Sequence, residues 1–139
     1  MVFTENLRKQ HEETKQLIKE ISTYLTVSSL AENSQKVRLL LSTLIGKTNV
    51  HRAAEDNYLY PKMINHDSKE LRTIAEKYYE GFIKTKDVLS IYSTKWASHI
   101  KIKENSNEFI EDTIGIFNRI LDRIDKENKE LFSLADKYF

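Results

Sequence analysis

The sequence predicts an all-α protein, an up-and-down antiparallel four-helix bundle with residues 1–139 as one domain. Two observations carry this. Helix breakers are scarce, with three glycines and one proline in 139 residues against 31% charged residues, a balance that suits long helices rather than a sheet. Apolar residues also recur at steps of three and four along four separate stretches, the spacing of a helical stripe that faces a core. A chain of this length buries a sizeable core without cross-links.

The elements follow in order. A first helix near 4–26 carries Leu7, His11, Thr14, Leu17/Ile18, Ile21 and Leu25 on one stripe, with Thr4 placed to cap it. Ser28-Ser29 and Asn33-Ser34 read as the connection to a second helix near 34–64. Its stripe is Val37, Leu41, Leu44, Thr48, His51, Glu55 and Tyr58/Leu59, with Pro61 near the end where a kink or terminus is tolerable. Asp67-Ser68-Lys69-Glu70 reads as a capping box for a third helix near 68–98, striped by Leu71, Ala75, Tyr78, Phe82, Thr85, Leu89, Tyr92 and Trp96. Asn105-Ser106-Asn107-Glu108 is a weaker start signal for a fourth helix near 106–137. There the stripe is Ile110, Thr113/Ile114, Phe117, Ile120/Leu121, Ile124, Glu127, Leu131 and Leu134. Short connections make neighbours antiparallel. Gly46, Gly81 and Gly115 lie inside these helices, at about 1 kcal/mol each relative to Ala. Tight helix packing is the expected reason, and an opening beside a site is the other reading for Gly81. The aromatic residues are expected in the core and at its rim.

Composition excludes several classes of function. With 22 basic and 21 acidic residues and no basic stripe interleaved with aromatics, nothing points to nucleic acid. No cysteine means no disulfide, thiol catalysis or zinc-thiolate site. The first nine residues have no apolar signal core and no apolar run approaches the roughly 20 residues that span a bilayer. A cytoplasmic protein with no membrane partner is expected.

The second hairpin weakly repeats the first. The stretch from His11 to Ile18 aligns with that from Phe82 to Leu89, and the stretch from His51 to Tyr60 with that from Arg123 to Phe132. In an antiparallel bundle this brings the polar groups His11, His51, Glu55 and Glu127 to one end of the core. His and Glu four residues apart project from one face of a helix, and inward carboxylates and imidazoles from several helices are how bundles build metal sites. The donor set suits iron, manganese or zinc. A lone core histidine is more often a hydrogen-bonded structural group, and a lone HxxxE is more often a surface pair. Arg123, one turn before Glu127, offers another resolution, because it can pair with Glu127 or Glu55 without a metal.

These residues together resemble a known family. His11, then His51-Arg-Ala-Ala-Glu55 followed by Leu59-Tyr60-Pro61, then a second hairpin with Glu127-Asn-Lys-Glu-Leu131-Phe132, is similar to the hemerythrin-like (HHE cation-binding) domain over nearly the whole chain. The resemblance implies the family's non-heme di-iron centre, of whose ligand positions His11, His51, Glu55 and Glu127 are matched here. It also implies a small diatomic ligand and a role in iron, oxygen or nitric oxide handling or sensing rather than enzymatic turnover. Two positions depart from the pattern, Phe82 and Arg123 standing where the family carries histidines. Three arrangements follow. One is a single metal on the four matched residues, with Tyr78 as a further ligand for a ferric ion. The second is a metal-free structural or interaction module in which Arg123 replaces the cation. The third is a rearranged site recruiting another histidine. His66 lies roughly 16 Å along the helix from Glu55 and His99 lies at the opposite end, so both are expected as solvent-facing loop residues.

Overall fold

The computed structural model describes residues 2–139, and Met1, which the predicted span includes, lies outside them. Among the described residues every regular element is helical. The first rod is α1 (Glu5–Ser22). The second runs through α2 (Val27–Ala54), a π-helical turn (Glu55–Leu59) and α3 (Tyr60–Ile64). The third is α4 (Lys69–Lys95). After a short α5 (His99–Glu104), the fourth rod comprises α6 (Ser106–Lys126), a second π turn (Glu127–Leu131) and α7 (Phe132–Tyr138).

Side-chain chemistry sets most of the boundaries, and it corrects several expectations. Ser28 and Ser29 do not form the first connection. Thr26 is extended and its hydroxyl accepts the Ser29 N–H at 3.2 Å, a cap that starts α2 about two turns early. Leu30, fully buried, then anchors that turn. The expected break survives as a kink at Asn33, with φ −122° and a side-chain amide that donates to the Ser29 carbonyl at 3.0 Å. Thr4 does not cap α1. Its hydroxyl and backbone N–H both go to Asp136, at 2.8–2.9 Å, and tie the start of the chain to α7. Ser68 caps α4 by accepting the Leu71 N–H at 3.3 Å. The expected box does not form, because with Ser68 as the cap the third helical residue is Leu71, which has no polar group to reciprocate; Glu70 accepts the Tyr138 hydroxyl at 3.1 Å. Asn105 makes no side-chain cap for α6; its amide reaches back to the Lys101 carbonyl, 3.1 Å away, and closes α5.

The rods alternate in direction, as ties between them show. Gln10 of α1 meets His51 late in α2. Arg38, early in α2, donates to the Trp96 carbonyl at the end of α4, at 3.3 Å. Tyr78 and Tyr92 of α4 meet Lys126 and Thr113 of α6 respectively. Two apolar clusters fill the bundle: Ile21, Leu41, Trp96 and Phe109 lie in the larger, and Leu59, Met63, Leu71 and Phe132 in the smaller. The polar layer sits between them. Tyr58, placed on a stripe by spacing, is 74% exposed, since the π turn rotates it outward and leaves Leu59 to the core. Gly46 and Gly115 face open space and not a packed neighbour, which removes tight packing as their reason. No helix among the described residues is long and apolar enough to cross a membrane.

Candidate metal centre

The structure brings His11, His51, Glu55 and Glu127 together between the two apolar clusters. His11 comes from the second turn of α1 and His51 from the last turn of α2. Each carboxylate opens a π turn: the Tyr60 N–H bonds back to the Glu55 carbonyl, and the Phe132 N–H to the Glu127 carbonyl. The two π turns occupy equivalent places in the repeat. Such single-turn insertions are rare and concentrate at functional sites.

Glu127 is the hub. Its Oε1 lies 2.9 Å from His11 Nε2 and 3.5 Å from His51 Nε2, while its Oε2 accepts from Arg123 Nε at 3.0 Å. His51 Nε2 is also 3.4 Å from Glu55 Oε2. The outer ring nitrogens are held in the same manner on both histidines. His11 Nδ1–H donates to Asn128 Oδ1 and His51 Nδ1–H to Gln10 Oε1, both at 2.7 Å. Fixing Nδ1 as the donor turns the Nε2 lone pair inward, the device by which proteins orient metal-binding imidazoles.

The His11 ring therefore meets an oxygen acceptor at both nitrogens, and His51 Nε2 stands 3.4–3.5 Å from two carboxylate oxygens, yet a neutral imidazole has a single N–H. A proton or a metal ion at Nε2 resolves the conflict. The residues present fit a metal. Ligand atoms of His11, His51 and Glu127 all lie within 4.8 Å of one another, and two ligands on opposite sides of a first-row ion are about 4.2 Å apart at typical bond lengths. His51 Nε2 and Glu55 Oε2 are buried without a hydrogen-bond partner, and two orphaned atoms facing each other are a ready pair of ligands.

Electrostatics follow the geometry. Burial alone would lower the His51 pKa, but the Glu127 and Glu55 carboxylates standing close to its Nε2 outweigh burial and raise it to about 9. Burial, reinforced by the negative charge of Glu127, raises Glu55 to about 7. Burial opposes ionisation of Glu127 too, yet the hydrogen bond with His11, the nearby His51 ring and the Arg123 charge hold it well below the carboxylate range. His51 and Glu55 thus bind more protons folded than unfolded, so stability falls as pH rises, through Glu55 between 4.5 and about 7 and through His51 between 6.5 and about 9. The Glu127 contribution has the opposite sign and is lost in acid. Metal-free protein is expected to be several kcal/mol less stable at pH 9 than at pH 5. Urea denaturation across that range checks this, and a flat profile would show that the cluster is not packed as described.

Arg123 occupies the far side of Glu127. Besides Glu127 it donates through Nη2 to the Tyr60 hydroxyl at 3.2 Å and to the Tyr78 carbonyl at 3.0 Å. A Cβ at Gly81 would stand 3.4 Å from its Nη1, so Gly81 is the internal glycine with a neighbour at the site. Phe82 lies under the Arg52 guanidinium. Tyr78 does not join the cluster: its hydroxyl donates to the Lys126 carbonyl at 3.1 Å, and burial pushes its pKa upward, away from phenolate. A rearranged site is also absent among the described residues. The half-buried His66 accepts the Ser68 N–H at 2.9 Å within the α3–α4 turn and packs on Tyr138 and Phe139. His99 opens α5 at the other end. Sequence spacing missed Gln10, Asn128 and Arg52. Gln10 and Asn128 are the chain neighbours of His11 and Glu127, and the need of an inward histidine for an acceptor on its second nitrogen is the signal that leads to them.

A family model described as "Hemerythrin HHE cation binding domain" matches residues 2–135. No curated protein and no solved structure matches the chain.

Proposed function

The chain belongs to the hemerythrin HHE cation-binding family, and from that premise we propose that it holds a single non-heme iron ion on His11, His51, Glu55 and Glu127 and uses it to sense or handle iron, dioxygen or nitric oxide. The observation that carries this reading is the pair of imidazoles whose Nδ1 atoms are tied to Gln10 and Asn128 while both Nε2 atoms converge on Glu127. Bound iron supplies one-electron chemistry and affinity for small diatomic ligands. The imidazoles present neutral nitrogen ligands, and the two carboxylates offset the charge of the ion. Arg123 takes the second oxygen of Glu127, where a bridging carboxylate would reach a second metal, and this supports one ion rather than two. The neighbours Arg52, Phe82 and Arg123 provide charge and apolar surface but no base or nucleophile, which favours binding over turnover.

The Arg123–Glu127 pair also favours a second reading, a metal-free structural or interaction module in which the guanidinium replaces the metal cation. Metal analysis of protein expressed in iron-supplemented medium and never exposed to chelator separates the two. About one equivalent of iron per chain is expected, with protons released on binding because the ligands must be deprotonated. Less than about a tenth of an equivalent of any transition metal sinks the iron reading and leaves the structural module.

A further inference from the structure

Between Tyr78 and Tyr92, α4 stands away from the bundle. No residue between them is buried, although Phe82, Thr85 and Leu89 sit at core spacing. The gap is a cavity of about 600 Å³ walled by α2, α4 and α6, inside the roughly 300–1,000 Å³ range of small-molecule sites. The wall has two characters. Ile45, Val88, Leu89, Ile116 and Ile120 supply apolar surface, and toward the metal centre Arg52 and Arg123 line the space.

The two guanidiniums are not equivalent. Arg123 spends its donors on Glu127, Tyr60 and Tyr78. Arg52 has its Nε and Nη1 buried with no hydrogen-bond partner. The nearby Glu55 Oε1 stands 3.8 Å from Nη1, beyond hydrogen-bonding reach. A buried cationic donor without an acceptor is costly, and a guanidinium N–H gives a carboxylate a strong charge-assisted hydrogen bond. Formal charge agrees. Arg52 and Arg123 balance Glu55 and Glu127. Lys86, Arg119 and Lys126 against Asp122 keep the remaining lining positive.

We infer that this cavity binds an amphipathic organic carboxylate, with its headgroup on Arg52 and its apolar body along Ile45, Val88, Leu89, Ile116 and Ile120. The site is built from protein groups alone and does not rest on the iron reading.

Calorimetric titration of the chelator-treated full chain with decanoate, decanol and decylammonium tests it. Decanoate is expected to saturate one site, with decanol at least about tenfold weaker and decylammonium weaker still. Arg52→Gln is expected to weaken decanoate about tenfold or more, and Leu89→Trp, which fills the apolar part, to abolish binding. Equal affinity for decanoate and decanol overturns the inference, as does unchanged decanoate affinity in folded Arg52→Gln. Should Arg52→Gln fail to fold, unchanged affinity in Leu89→Trp overturns it alone. Binding seen only in metal-loaded protein also overturns it, since the carboxylate is then a metal ligand. Metal content measured on the same preparation keeps this outcome apart from failure of the iron reading.

Discussion

Glu127→Gln is expected to abolish the proposed metal binding and to lower the stability of the metal-free protein by about 3–5 kcal/mol. The substitution keeps shape and volume but removes the one negative charge that His11, His51 and Arg123 share. Arg123 and a protonated His51 would then sit in a largely buried layer with Glu55 as their remaining counter-charge. Burial already pushes Glu55 toward the neutral form, so it compensates poorly. Urea denaturation and metal analysis of one preparation read both effects. Glu130→Gln is the control, because the Glu130–Lys77 pair is exposed and its loss is expected to cost less than about 1 kcal/mol. A Glu127→Gln protein as stable as that control would mean that the layer is held by packing alone.

Placing imidazoles where the resemblance expects them, Phe82→His with Arg123→His, is expected to raise the metal content from the proposed one to about two ions per chain, by the donor chemistry of carboxylate-bridged bundle sites. The double change removes a fixed cation that repels a second metal and frees Glu127 Oε2 from its 3.0 Å bond to Arg123. Space is available, because Arg123 Nη1 already fills the room beside Gly81 that a smaller ring would share. Metal analysis with absorption spectroscopy reads the result. A content that stays at one ion would mean that α4 and α6 do not stand in the family's register at this level, and that the departures at these positions are more than point replacements.

The helical stripes were legible because a buried face repeats every three or four residues. His11, Glu55 and Glu127 fell on those stripes and are buried, so periodicity alone placed them at one end of the core. Two things were hidden. The first was the early start of α2, where a single threonine cap and Leu30 overrode a polar stretch that looked like a loop. The second was the standing-off of α4. Phe82, Thr85 and Leu89 have core spacing, but spacing records which way a side chain points and not whether anything stands opposite it. The polar support of the site was equally hidden, since Gln10 and Asn128 read as surface residues until the histidines they hold are seen.

The two π turns carry a consequence for how this chain can change. Each adds one residue to a helix that would otherwise run straight, and a residue corresponds to about 100° of helical rotation. Excising one residue from Glu55–Leu59 would mend the ladder locally and remove an unfavourable turn. It would also swing Tyr60 and Met63, both buried, off the smaller cluster, and the equivalent excision from Glu127–Leu131 would do the same to Phe132 and Ala135. Single-residue deletions at either place are therefore trapped between a local gain and a global loss. The irregular turns persist because the route back to a plain helix passes through a chain whose end no longer packs.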